Sequence, residues 1–361
     1  MKWGIIVALT MLLVCALTLG IFLLGATPED SVLTPTEATG KLPKAFVTET
    51  SITEEHTEPP TEPLPEVDPF QGLTPIGTYY ATPDAIAPEI LKDLQAGGLV
   101  FHYEAELPDA PQSLPGYRYA PITLDQDALL RFLFGEDYTF VPKEHIGGVN
   151  GELTTDTGTY YVLLSNGTRL YTTREDGAAY RGRDELDTLH TELSDLLGIT
   201  LELWRTGYAC GSDAVRTDYA QMLGGVPVSD HTYYIGKDEA TGHGSQLCVS
   251  YDDDGLKKLI LDYLTEVVPT GEPCTALLSA EDALQLVQAR MSGASVNAVQ
   301  VFKSCRLVYL NPPEAEDEMI PAWELRYDFY ELDPARELVS VCAGEYAYLV
   351  NAVDGTLYSY H

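Results

Sequence analysis

Residues 5–26 form an uncharged, mostly apolar run, and this run constrains the chain more than any other feature. As a helix rising about 1.5 Å per residue, a run of that length crosses a hydrocarbon core of about 30 Å. Three readings compete. An uncleaved anchor fits the length. A signal peptide has an apolar region of about 7–15 residues and a small-x-small site, whereas the site before Thr27 is Leu24-Gly25-Ala26, with a bulky first residue. A lipoprotein needs its cysteine after the run, and Cys15 lies in the middle of it. Lys2 precedes the run, and Glu29 and Asp30 follow it. That asymmetry favours residues 1–4 as a cytoplasmic tip and the bulk of the chain as extracytoplasmic at the cell membrane.

Residues 27–70 are dense in Thr, Pro and Glu, with ten acids against two lysines and few large apolar side chains. Such a segment buries too little surface to offset the entropy of ordering it. Proline and self-repulsion keep it extended, as a disordered stalk. With −8 in this segment and +1 from Lys2, the other 291 residues carry −27 of the formal −34. A domain so acidic is a poor partner for nucleic acid or other polyanions. It suits a basic protein partner or divalent cations, and the charge also serves solubility.

Periodic segments fill residues 71–361. Leu186, Leu189, Leu193 and Leu196 make one stripe of a helix over 185–197, stopped by Gly198. A helix over 280–291 carries Ala283, Leu284, Val287 and Met291, capped by Ser279. A shorter one over 124–134 has Thr123 and Gln126 in capping-box spacing. The spacing of Leu256, Leu259, Ile260, Tyr263, Leu264 and Val267 predicts a fourth over 254–267. Two hairpins share a design: an aromatic–aliphatic strand, a turn at Asn166-Gly167 or Asp354-Gly355, then Leu-Tyr. A helix precedes each. Duplication of a helix-plus-sheet module explains this, and so does the general frequency of such turns. The expected class is α+β: antiparallel sheets with helices packed on one face. The boundary is expected near 180, giving modules 71–180 and 181–361.

Motifs for chemistry are sparse. Asp252-Asp253-Asp254-Gly255 lacks the alternate spacing of an EF-hand and reads as the acidic start of a helix. Gly242-His243-Gly244-Ser245 is not a nucleophile elbow. Asp230 and His231 resemble half of a catalytic pair, but adjacent strand residues point to opposite faces. Asn166-Gly167-Thr168 matches a glycosylation sequon and is better explained as a turn. No zinc spacing or phosphate loop occurs, so the reading assigns no catalytic residue, metal or cofactor. Five cysteines follow Cys15, at 210, 248, 274, 305 and 342. Cys305 and Cys342 fall in expected strands near the carboxyl end and are the favoured disulfide. In a reducing environment all five are plain buried residues.

The carboxyl-terminal part has a characteristic order: LSAEDALQLV (278–287) opening a helix, SCRLVYLN (304–311), IPAWELRYDF (320–329) with Pro321 and Trp323, and YLVNAVDGTLY (348–358). Upstream lie YAQMLGGVPV (219–228) and LCVSYDDDGLKKL (247–259). Residues 210–361 thereby resemble the PepSY-type module, and in particular the YycI-like extracytoplasmic proteins of Gram-positive bacteria. The resemblance implies a membrane-tethered accessory protein that modulates a sensor histidine kinase, without catalysis of its own. PepSY modules are also associated with restraint of proteases. The long stalk, the acidity and the extra cysteines depart from that pattern. A flexible stalk transmits force poorly but tethers well. A surface hydrolase acting on wall polymer and an acidic cation-collecting protein are the alternatives. The sequence specifies no oligomeric state.

Overall fold

Extended segments dominate because so much of the chain alternates side-chain character at period two. The computed structural model describes residues 70–358 apart from 71, 146–147, 166, 210–211, 213, 232, 235–239, 243 and 312–316. The expected anchor (5–26) and nearly all of the expected stalk lie outside the described residues. Phe70, the last stalk residue, stacks on Tyr208 with ring centroids 4.8 Å apart. No helix among the described residues is long and apolar enough to cross a membrane.

The described residues open with β1 (Thr74–Ala81), α1 (Pro88–Ala96) and β2 (Leu99–Tyr103). One order of elements then occurs three times, a helix followed by an antiparallel meander. The first unit is α2 (Gln126–Phe134) with β3 (Thr139–His145), β4 (Gly148–Thr154), β5 (Gly158–Ser165) and β6 (Arg169–Gly177). The second is α3 (Leu186–Leu197) with β7 (Leu201–Ala209), β8 (Val215–Leu223), β9 (Gln246–Asp252) and β10 (Gly255–Asp262). The third is α4 (Ala280–Met291) with β11 (Ala298–Leu310), β12 (Ile320–Asp333), β13 (Leu338–Asn351) and a short strand, Leu357–Tyr358. The expected boundary near 180 falls between the first and second units. All the described residues belong to one compact unit.

These strands hydrogen-bond in the order β2-β11-β12-β13-β1-β7-β8-β9-β10-β6-β5-β4-β3. The β2–β11 and β1–β7 contacts are parallel, and the other contacts on this path are antiparallel. β1 joins the two halves. Gly77–Ala81 pair with β13, and Thr74–Ile76 run along Gly207–Ala209 of β7. A Cβ at Gly207 would sit 2.5 Å from the Thr74 carbonyl oxygen, so this parallel contact needs glycine.

In the β3–β10 half, α2 and α3 share one core. Leu130, Leu133, Leu189 and Leu193 pack with Tyr160, Val162, Leu170, Leu259 and Leu261. In the other half the helices take opposite faces. α4 places Ala283 and Val287 on Phe302, Trp323 and Val350, while α1 places Ile90 and Leu94 on Val299, Val301, Val339 and Val341. Successive residues Val301 and Phe302 serve the two faces. The molecule is therefore mostly β with helices laid on a large mixed sheet, an α+β arrangement in which only the first half keeps its helices on one face.

Helices α3 and α4 lie where the periodicity places them. Gly198 ends α3 at φ 67°, and the Ser279 Oγ accepts from the Asp282 N–H at 3.1 Å. α2 is capped by Asp125, which accepts from the Ala128 N–H at 3.0 Å, rather than by Thr123. The helix expected over 254–267 is absent. Asp253-Asp254 make a two-residue turn into β10, followed by the strand Thr265–Pro269. Gly255 has φ 119°, and a Cβ there would meet the Arg181 carbonyl oxygen at 2.2 Å, which favours the turn over a helix start. Both Asp-Gly and Asn-Gly hairpins form, β5–β6 and β13 with Leu357–Tyr358.

Leu189 is fully buried whereas Leu196, on the same sequence stripe, is 44% exposed. Leu189→Ala is expected to cost about 2–5 kcal/mol. Leu196→Ala, at an exposed site, is expected to cost less than about 1 kcal/mol. Urea denaturation of the two variants checks the difference.

Candidate functional site

The alternation in IPAWELRYDF turns Trp323, Leu325 and Tyr327 toward α4 and turns Ala322, Glu324 and Arg326 to the other face. On that other face Glu324 is completely buried and Arg326 is 4% exposed. Arg306 of β11 stands opposite Glu324 in register. The Nε atoms of Arg306 and Arg326 both donate to Glu324 Oε1, at 2.8 and 2.7 Å. Arg326 also pairs with Asp230 and donates to the Gly344 carbonyl at 3.3 Å. Ser229 Oγ donates to Glu324 Oε2 at 3.3 Å and accepts from the His231 N–H at 3.2 Å. His231, 5% exposed, has Nε2 at 3.9 Å from Glu324 and 4.0 Å from Asp230. Trp204 of β7 covers the group, with Arg306 Cζ 3.0 Å from its ring centroid.

A second charged group continues the network into the other half of the sheet. Arg205 Nε and Arg216 Nε donate to the two oxygens of Asp218, at 2.6 and 2.8 Å. Arg205 also donates to the Gly344 carbonyl. Both arginines approach Glu345, at 3.5 and 3.2 Å. β7 and β8 are thus tied to β12 and β13 by side chains as well as by β1.

Burial and charge set the protonation states together. Burial pushes Asp230 up, but Arg326 first, then His231 and Arg306, outweigh it and hold the carboxyl below its usual range. Burial likewise opposes Glu324, and Arg306 and Arg326 hold it low. Burial, then Arg326, lowers His231 to about 4 against the pull of the two carboxylates. The inner group is therefore two carboxylates, two guanidiniums and a neutral imidazole, balanced without any further ion.

Asp230, His231 and Glu324 bring potential metal-ligand atoms within 4.8 Å of one another. The fit to a cation is poor, because both carboxylates already receive guanidinium hydrogens. A dication would leave Arg306 and Arg326 buried beside it with their partners taken. The arrangement also fits catalysis poorly, since Ser229 is 2% exposed and donates to a carboxylate rather than to a base. Among the described residues, clefts of about 530 and 240 Å³ open elsewhere. Neither is lined by a His, a Cys or a pair of carboxylates.

Several expectations change here. Asp230 and His231 do not diverge as strand neighbours would, because they lie outside any strand and both reach the charged group. The expected Cys305–Cys342 disulfide does not form, and the four described cysteines are free. Cys305 pairs with Leu325 and Cys342 with Phe329, so β12 lies between them. Two strand spacings are about 10 Å, too far for a disulfide. Cys210 lies outside the described residues, as do Asn166 and His243. Asp252 pairs with Arg174, and Asp252 Oδ1 accepts from the Asp254 N–H at 3.1 Å, so these acids shape a hairpin turn. Ser245 is fully buried and donates to Gln221 at 3.0 Å. The charged group itself was missed. Its one local signal is Glu324 and Arg326 at i and i+2 within a long apolar strand, which reads equally as a solvated face.

No family model matches the chain, and no curated protein matches it. Among solved structures, the chain is similar to an uncharacterized protein from Eubacterium rectale ATCC 33656. The identity is 11% and the TM-score 0.48, with 72% of this chain and 91% of that chain covered.

Two outcomes follow for the buried group. Glu324→Gln leaves two buried guanidiniums short of their partner and is expected to cost about 3–5 kcal/mol in chemical denaturation. For His231, the unfolded state takes up the proton as pH falls below about 6.5, whereas the folded state resists until about 4. Stability is therefore lost as pH falls through that interval, by up to about 1.4 kcal/mol per pH unit. Asp262, pushed up to about 6 by burial against Arg169, acts with the opposite sign in the same interval. The unfolding free energy of the parent minus that of His231→Gln isolates the histidine, and it is expected to rise steadily from about pH 4 to about 6.5.

Proposed function

We propose that this chain is a non-catalytic binding protein, tethered outside the cytoplasm by residues 5–26, that regulates a membrane protein in the manner of PepSY-type and YycI-like proteins. A sensor histidine kinase is the favoured partner class. One observation carries the reading. Among the described residues, the group of side chains richest in acid–base chemistry is buried and charge-balanced, and the 530 and 240 Å³ clefts lack a catalytic pair. Such an interior supports a shape and leaves binding to the surface.

Three further features support it. The apolar run and the acidic stalk suit a tether. The formal charge of −34 favours encounter with basic surfaces of a partner. The helix-then-meander order, present three times, agrees with repeated PepSY-like modules and extends the two suggested by the hairpins.

The test uses the full chain in the membranes of its own cells, with a photocrosslinking residue at exposed loop positions. Adducts with one membrane protein, lost when residues 5–26 are deleted, are expected. Absence of protein adducts, or release of fragments from wall polymer by the purified full chain, would overturn the proposal.

A further inference from the structure

The 530 Å³ cleft lies where the end of α3, the end of β8 and the strand Thr265–Pro269 meet. Its volume is in the range of small-ligand sites. Ile122, Leu197, Ile199, Leu223 and Val267 give it aliphatic walls.

The hydrogen-bond inventory of this cleft is one-sided. Gln221, 1% exposed, lies among the lining residues with both ends of its amide hydrogen-bonded. Its Oε1 accepts from the Thr265 N–H at 3.0 Å, Thr265 Oγ1 at 3.3 Å and Ser245 Oγ at 3.0 Å. Its Nε2 donates to the Thr265 carbonyl at 2.5 Å. Three backbone N–H groups at the rim are used as well. The Gly198 and Ile199 N–H groups both go to the Ser194 carbonyl, and the Met222 N–H goes to Thr200 at 2.9 Å. The rim also offers acceptors. The last carbonyls of a helix have no partner within it, and α3 ends here at Leu197 and Gly198. Its last turn holds no basic residue to answer the negative end of the dipole. Glu266 adds a carboxylate, and among the described residues no Lys, Arg or His lines the cleft.

We propose that this cleft binds a primary ammonium group on an aliphatic chain, whether the lysine side chain of a peptide or a free alkyl amine. The three N–H donors of an ammonium match Glu266 and the end of α3, and the methylene chain lies on the aliphatic walls. An anion would be repelled by the Glu266 carboxylate and by the negative end of α3. This site stands independently of the membrane reading, because it needs neither a tether nor a kinase.

The test is a titration of the full chain in detergent, followed by methyl NMR of Ile122, Leu197, Ile199 and Met222. The probes are hexylammonium, a capped Ala-Lys-Ala peptide, hexanol and hexanoate. Hexylammonium is expected to shift these methyl signals with an affinity about tenfold above that of hexanol, with hexanoate weaker still. Glu266→Gln is expected to remove several-fold of the ammonium affinity and to leave hexanol binding unchanged. Tighter binding of the peptide than of hexylammonium assigns the site to a protein lysine, and the reverse assigns it to a free amine. Equal binding of hexanol and hexylammonium, shifts confined to other methyl groups, or an unchanged ammonium affinity in Glu266→Gln would overturn the proposal.

Discussion

Four buried charges between the halves of the sheet impose the strictest condition on this structure. Taking Glu324, Asp230, Arg306 and Arg326 out of water costs several kcal/mol per ion unless each finds a partner in the right place. No single element supplies those partners. Glu324 and Arg326 come from β12, Arg306 from β11, Asp230 from the segment after β8, and the Trp204 lid from β7. The charges are satisfied only when all four segments are in place at once. That requirement ties the second helix-and-meander unit to the third and makes a partly assembled sheet unfavourable.

The apolar cores act more locally. α2 and α3 lie with their own meanders in one cluster, and α4 lies on the strands that follow it. Contacts that join the halves include β1, which divides its pairing between β13 and β7, the arginines that converge on Gly344, and the packing of Leu223 and Val228 with Tyr309. A chain of similar local units is thereby made into one body by a strand from its beginning and by polar groups from its middle and end.

Local signals served well where one short segment contains the whole physical cause. The leucine stripe with Gly198, the Ser279 cap and the hairpin turns need only their own neighbours. α1 is not among the expected helices although Pro88 at its first position is a start signal; its nine residues carry only a short apolar stripe, Ile90 and Leu94. Residues 254–267 satisfied helical spacing by coincidence. Leu259 and Leu261 are buried by strand alternation, and the turn at Asp253-Asp254 depends on Arg181 and Arg174 from other segments. Asp230 and His231 were judged by a strand geometry that their segment does not have. The distance between Cys305 and Cys342 depends on β12 lying between them, which is a matter of strand order.

The sequence alone determined what periodicity and composition control: the apolar amino-terminal run, the acidic character, two of the helices with their ends and two hairpins. These depend on side-chain spacing, capping and turn geometry within about a dozen residues. The tertiary structure decided which polar residues are interior. Glu324 and Arg306 look like ordinary surface residues until the strand order sets them opposite each other beneath Trp204. Likewise, the cleft beside Glu266 exists only because α3 and β8 end, and the strand Thr265–Pro269 begins, at the same place. Both depend on pairings between residues far apart in the chain, and no local pattern records those.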